Sequence, residues 1–407
     1  MKAWQYQIHI LWISQLISIT AMEMSGPFWP LFLRQLPAND VNLEIWSALV
    51  YAAPLLLSGL VAPFWARMGD KYGHKKMVLR AFLGLALTQA ALYFSTSLIE
   101  VLFWRLLQGA LAGVITAVLC YANRIAPESQ RSRVVGKLTA ATAAGTIMGP
   151  LLGGGIIEWL NFQALFATAS LVCLVVACAL SLGLVKDAPV LIAASLPKKG
   201  QATSSYGKTL LLFICAIFLL QIAKAIPSSW FALYAEHQLQ ATPLITGVIF
   251  SAAGVGMLLS APIWGKRFDQ ILPTKRPTRL ALVAFVAALC YLLHLQENWL
   301  SLLCVRFAWG ICLGAMLPML QATMIQLADT STQSGVIGRA QRAIKIGNLT
   351  GVGVGALLLN WWGFQFGFIF AASVYLMVSI VLFIAGRRLS NKKFHLVEYD
   401  NNIKVQG

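Results

Sequence analysis

Glu23 and Lys224 each stand about 16 residues into a long apolar run, and each is followed by a proline (Pro27, Pro227) and a tryptophan (Trp29, Trp230). A carboxyl in such a setting exchanges a proton as the charges around it change, and a nearby ammonium or a bound solute is what changes them. That is the chemistry of coupling proton movement to a carried molecule; a static Glu23–Lys224 ion pair is the structural alternative. Arg105, about six residues into another apolar run, has a counterpart in Arg306, and Lys345 lies in a third run. One acid therefore stands against four cations inside apolar segments, a balance that attracts an anionic or carboxylate-bearing solute more readily than a lipophilic cation. Trp230, with Phe28, Trp29, Phe231 and Trp309 at the same depth, supplies an apolar wall to such a cavity or simply packs. The expectation is that Glu23 and Arg105 couple protons and that Glu23, Lys224, Trp230, Arg306 and Lys345 hold the solute.

A second group of residues governs movement. Asp70 is a lone acid in the basic turn Ala66 to Lys76, where it can cap a helix or pair with a cation on a neighbouring helix and so latch one conformation. Gly73 permits the tight backbone of that turn. Gly145, Gly149 and Gly153 recur every four residues, a spacing that lets two helices approach closely, and Pro150 among them removes a backbone hydrogen bond and bends the helix. These four are expected to act as hinge and seal between halves, with passive packing as the alternative.

The elements that must position these residues follow from composition. Of 407 residues 58% are hydrophobic and 11% charged, too little polar surface to coat a soluble globule. Apolar runs long enough to cross a hydrocarbon core, roughly 20 helical residues each, fall at 7–33, 45–66, 77–96, 99–122, 136–158, 162–185, 209–233, 243–264, 279–296, 299–327, 335–359 and 363–386. They are continuous rather than alternating, which indicates helices and not barrel strands. The stretch Pro63 to Asp70 recurs as Pro262 to Asp269, Arg105, Gly109 and Gly113 recur as Arg306, Gly310 and Gly314, and Gly145, Gly149 and Gly153 recur as Gly347, Gly351 and Gly355. The expected fold is an all-α membrane protein of twelve transmembrane helices in two pseudo-symmetric six-helix bundles. Residues 1–185 form the first bundle, 186–208 a polar linker, 209–386 the second bundle and 387–407 a tail. Because each half has an even number of spans, the axis relating them runs along the membrane normal, with a pathway between them.

The net charge of +17 would suggest nucleic acid in a soluble protein, but its placement decides otherwise. With the N-terminus inside, 26 of the 31 lysines and arginines fall in cytoplasmic segments, four lie within spans, and Arg34 alone is on the opposite face. This asymmetry places both termini in the cytoplasm and makes the bilayer, not nucleic acid, the partner. The first run lacks a small-residue cleavage site and is expected to remain as an anchor. Seven cysteines and five histidines show no metal-ligand spacing, and no nucleotide-binding or hydrolase motif is present, so no metal, cofactor or enzymatic activity is expected. Transport energy would come from an ion gradient or from the solute's own.

These residues resemble the major facilitator superfamily over nearly the whole chain. Asp70-Lys71-Tyr72-Gly73-His74-Lys75 is similar to the family motif between spans two and three, departing from it at Ala66, usually glycine, and at His74, usually basic. The run Gly145 to Gly154 resembles the antiporter motif of span five, and Arg105 to Gly109 resembles the span-four motif whose arginine is implicated in proton transfer. The likeness is to bacterial drug:proton antiporters with twelve helices, and it implies alternating access about a midplane site in the inner membrane. The motifs favour a drug-type solute, whereas the interior charge favours an anionic metabolite such as a carboxylate siderophore; both stay open. A monomer is expected. Proton-coupled uptake and a non-transporting membrane sensor or scaffold are the competing readings.

Overall fold

The computed structural model describes residues 3–37, 42–111, 113–185, 207–272, 274–295, 298–328 and 333–405, without the side chains of residues 3, 66, 128, 132, 333, 334 and 392–405. The linker expected at 186–208 lies outside the described residues except for Gly207 and Lys208, which open a helix. The described chain is helical throughout, with no strand.

The first span is α1 (Ala3–Glu23) followed by α2 (Trp29–Arg34), and the second and third are α3 (Leu43–Tyr72) and α4 (His74–Tyr93). The fourth comprises α5 (Leu98–Leu111) and α6 (Val114–Ile125), and α7 (Arg131–Trp159) and α8 (Phe162–Gly183) complete the half. The second half runs through α9 (Gly207–Ala225), α10 (Phe231–Leu239), α11 (Pro243–Asp269), α12 (Arg276–Leu292), α13 (Trp299–Leu327) and α14 (Gln333–Val405). α14 is two spans, divided at Gly363, whose φ of 78° is not helical. Eight stretches are long and apolar enough to cross a membrane unaided, and the one at 335–391 holds both spans of α14. The remaining three crossings are the broken α1–α2, the basic-headed α4 and the 17-residue α12. Twelve spans result.

Two expected continuous runs are broken, and in the same way. Proline has no N–H to give to the helical ladder, and at Pro27 the first span passes through a short 3-10 turn, Gly26–Phe28, before α2 begins. The seventh span does the same at Pro227, through Ile226–Ser229. Span four also divides, at Gly113, which holds a left-handed φ of 72° that a side chain would disfavour. Its repeat, α13, runs unbroken through Gly314. Elsewhere the ends are conventional: Asn161, Thr242 and Asn298 accept from first-turn backbone N–H groups and start α8, α11 and α13.

In the first half α1 packs on α7 and α8, α3 on α5, and α4 on α8; in the second α9 lies on the first part of α14, α11 on α13, and α12 on α14. The halves meet along α7–α11 and α3–α14. With twelve spans both ends of the chain lie on one face, here the near face, and the seam is tied on the other, the far face. There Arg34 donates a forked pair to Glu236, 2.8 and 2.6 Å. Glu158, at the end of α7, accepts from the backbone N–H of Leu244 at 2.9 Å, placing a carboxylate on the positive end of α11. Deeper, the Ser251 hydroxyl donates to the Ile147 carbonyl across the seam, 2.7 Å.

Candidate functional site

Span two supplies the first piece of the site through a residue it cannot use. Pro54 lies inside α3 and lacks the N–H that would bond the Val50 carbonyl one turn back. That carbonyl instead accepts from Arg105 Nε at 3.0 Å. Gln108, one turn further along α5, takes the guanidinium's NH1 on its side-chain oxygen at 2.5 Å, and the Trp29 ring lies 4.4 Å below the charge. Arg105 is 7% exposed, so two acceptors and a ring face replace most of its water. The helices can come this close because Gly109 has no side chain: a Cβ there would stand 2.5 Å from the Pro54 carbonyl oxygen.

Glu23 ends α1 where the span breaks, with its carboxylate against Gly26 and its own backbone pressed on Gly149 of α7. It lines a cavity of about 330 Å³ with Trp29, Tyr51, Arg105, Gln108 and Lys345. Lys345 is the single lining residue from the second half. The cavity extends along spans two and four to His74, Arg80 and Cys120, toward the near face. Arg105 and Lys345 are the cations that share this wall with Glu23 at mid-span depth. Lys224 is exposed at mid-span, is not among the residues that line this cavity, and makes no contact ion pair with Glu23. The static pair considered from sequence is not formed here.

Two expected solute-binding residues are elsewhere. Trp230 is 1% exposed, its ring packed 5.6 and 5.0 Å from Phe364 and Phe368 inside the second bundle. Arg306 is 3% exposed, stacked over Phe231, Phe250 and Trp309 at 4.3 to 5.1 Å. Neither lines this cavity, contrary to the placement expected from sequence, and the cause is local. Ala253 stands where the repeat has Pro54, so no carbonyl is freed for Arg306, and it turns into the aromatic core.

The movement residues divide as well. Asp70 accepts from Arg124 at 2.8 Å and lies 3.4 Å from His74 Nε2, tying span two to spans three and four within its own half. Gly73 makes the α3–α4 turn with φ 94° and ψ 144°. Gly145, Gly149 and Gly153 face α1, not the other half: their missing Cβ atoms would fall within 3 Å of Leu16, Glu23 and Met24 backbone or side-chain atoms. The seal expected of them falls to Pro150, whose carbonyl lies against Gly247, and to Gly154, which lies against Pro243. Sequence reasoning did not select Pro54, Tyr51 or Gln108 for the site, nor the far-face pair; the available signal was a proline four residues after Val50 in a span that carries no charge of its own at that depth.

The arrangement is two six-helix bundles, broken first and seventh spans, and one charged midplane cavity bounded by both. The model of the Major Facilitator Superfamily matches residues 11–234 and again 213–398. The chain belongs to the Major Facilitator Superfamily. Its place there makes it a secondary transporter working by alternating access, and not an enzyme. Among curated members it is similar to the multidrug resistance protein MdtG of Proteus mirabilis, at 27% identity over 96% of this chain and 98% of that protein. It is also similar to the staphyloferrin B transporter of Staphylococcus aureus, at 26% identity over 93% and 92%. Among solved facilitator structures, a bacterial homolog of the lysosomal transporter Spinster superposes with a TM-score of 0.77 at 11% identity, covering 96% of this chain and 98% of that one.

Proposed function

We propose that this facilitator is a proton-coupled exporter of a small organic solute across the bacterial inner membrane, acting as a monomer with both termini in the cytoplasm. The orientation rests on the 26 of 31 lysines and arginines assigned to the near-face segments. With that face cytoplasmic, the tied far face and the cavity reaching toward Arg80 describe an inward-facing state ready to load. The observation that carries the reading is Glu23 in one cavity wall with the cations Arg105 and Lys345. An arriving solute or an incoming proton alters the same small set of charges, so the two compete for one site, which is the condition for exchange.

The solute is drug-like or an anionic metabolite such as a carboxylate siderophore. The likeness to MdtG supports the first, and the cationic surroundings of Glu23, with the likeness to a staphyloferrin B transporter, support the second. The decisive experiment is reconstitution in proteoliposomes with a lumenal pH dye. Substrate flux is expected to move protons in the opposite direction, and Glu23→Gln is expected to abolish that movement while leaving the protein folded. Unchanged proton flux in Glu23→Gln removes this carboxyl from the mechanism. Growth of a deletion strain on toxic compounds and under iron limitation separates the solute classes.

A further inference from the structure

The described surface carries a second concavity, on the lipid-facing side of spans three, four and six, with a volume of about 730 Å³. Its polar groups sit at one end. Lys76 and Arg80 lie one turn apart on the same face of α4, within the first two turns after Gly73, at the near-face boundary of the span. Arg80 lies between this groove and the central cavity and lines both, its guanidinium carbon 3.6 Å from the ring centre of Trp65. Beyond them the wall is apolar: Leu83, Leu87, Leu111 and Leu174, with Ala90 at its far limit. The one further hydroxyl, Ser170, donates to the Ala86 carbonyl at 2.8 Å and so offers its proton to nothing in the groove.

The concavity is built into the packing. Gly84 has no room for a side chain, since a Cβ would stand 2.7 Å from that of Leu111, so α4 lies close on α5 and leaves a trough beside the contact. From Lys76 to Ala90 the trough follows α4 for roughly 21 Å, somewhat more than half of a hydrocarbon core of about 30 Å. A surface cationic at the membrane boundary and apolar for about one leaflet below it fits an amphiphile with an anionic head and acyl chains.

We propose that this groove binds an anionic phospholipid of the near-face leaflet, its phosphate held by Lys76 and Arg80 and a chain laid along Leu83, Leu87 and Leu174. The reading does not depend on what is transported, and its test does not use transport. The full-length protein, delipidated in detergent, is titrated with phosphatidylglycerol or with phosphatidylcholine of identical chains, and bound lipid is counted by native mass spectrometry. Phosphatidylglycerol is expected to be retained preferentially. Lys76→Gln, at an exposed position, should reduce that preference about fivefold, the effect of one basic residue at an anionic surface. Leu87→Trp, which fills the trough without touching the charges, should reduce binding of both lipids. Equal retention of the two lipids by the unaltered protein, or a preference unchanged by Lys76→Gln, overturns the proposal. Loss of binding in Lys76→Gln with an unchanged melting temperature separates it from unfolding.

Discussion

Alanine at Gly247 should force the transporter out of the state described here. A Cβ at this position would stand 2.2 Å from the Pro150 carbonyl oxygen, and one at Gly154 would stand 2.3 Å from the Pro243 carbonyl oxygen, where ordinary contact begins at 3.4 Å. Both obstacles are backbone, so α7 and α11 must separate by about 1 Å to admit either methyl. Overpacking of this kind costs about 1–3 kcal/mol. The separation also stretches, without breaking, the Ser251–Ile147 and Glu158–Leu244 hydrogen bonds, which contribute about 1 kcal/mol each when intact and lose about half of that, about 1 kcal/mol together. The sum, about 2–4 kcal/mol, is charged only against the state in which the far face is closed. The ratio of closed to open far face should therefore fall by roughly 30- to 1000-fold. Spin labels at the exposed Gln35 and Gln238, on opposite halves beside the Arg34–Glu236 pair, report this as a shift of the distance distribution to longer values. Gly149→Ala is the control, because its Cβ would meet Glu23 and Thr20 of the same half at 2.5 to 3.0 Å. It should lower the melting temperature in every state without favouring the open far face. An unchanged Gln35–Gln238 distribution in Gly247→Ala, or a loss of stability equal to that of Gly149→Ala, would show that the seam contact is not specific to one state.

Pro54→Ala restores an N–H that competes for the Val50 carbonyl, so Arg105 should lose about 1 kcal/mol of anchoring; proton-coupled flux is expected to fall severalfold while the melting temperature holds or rises. Arg34→Glu should open the far face by no more than about fivefold, because the pair is half-exposed and screened, and Arg34→Glu with Glu236→Arg should restore the wild-type distance distribution.

Much of the fold was legible because each half repeats the other: offsets of 199, 201 and 202 residues align Pro63 with Pro262, Arg105 with Arg306 and Gly145 with Gly347, and two copies of six spans follow. Glu23, Arg105 and Lys345 were legible in the site because a charge inside an apolar run needs a wet or charged neighbour. The repeat misled at Trp230 and Arg306. Matching letters do not guarantee matching surroundings, and one difference, Ala253 for Pro54, withdraws the acceptor that defines the environment of Arg105. The glycine run shows another limit. A helix turns about 100° per residue, so Gly153 and Gly154 face different neighbours, and no spacing within α7 tells which face meets α1 and which meets α11. The far-face ties were hidden for a simpler reason, since Arg34 and Glu236 are joined only by the way two halves close.

Glu23 is the sole carboxylate at mid-span depth among the described residues, and this limits how the machine can use voltage. In the exchange proposed above, with Glu23 as the proton carrier, one acid carries at most one elementary charge inward per cycle. Exchange against a neutral solute then moves a single charge, about 2.3 kcal/mol at 100 mV, whereas expulsion of a monoanion moves two and doubles the electrical drive. With an interior-negative potential clamped across liposomes and no pH difference, a charged cargo would still be pumped about twice as steeply with voltage as an uncharged one.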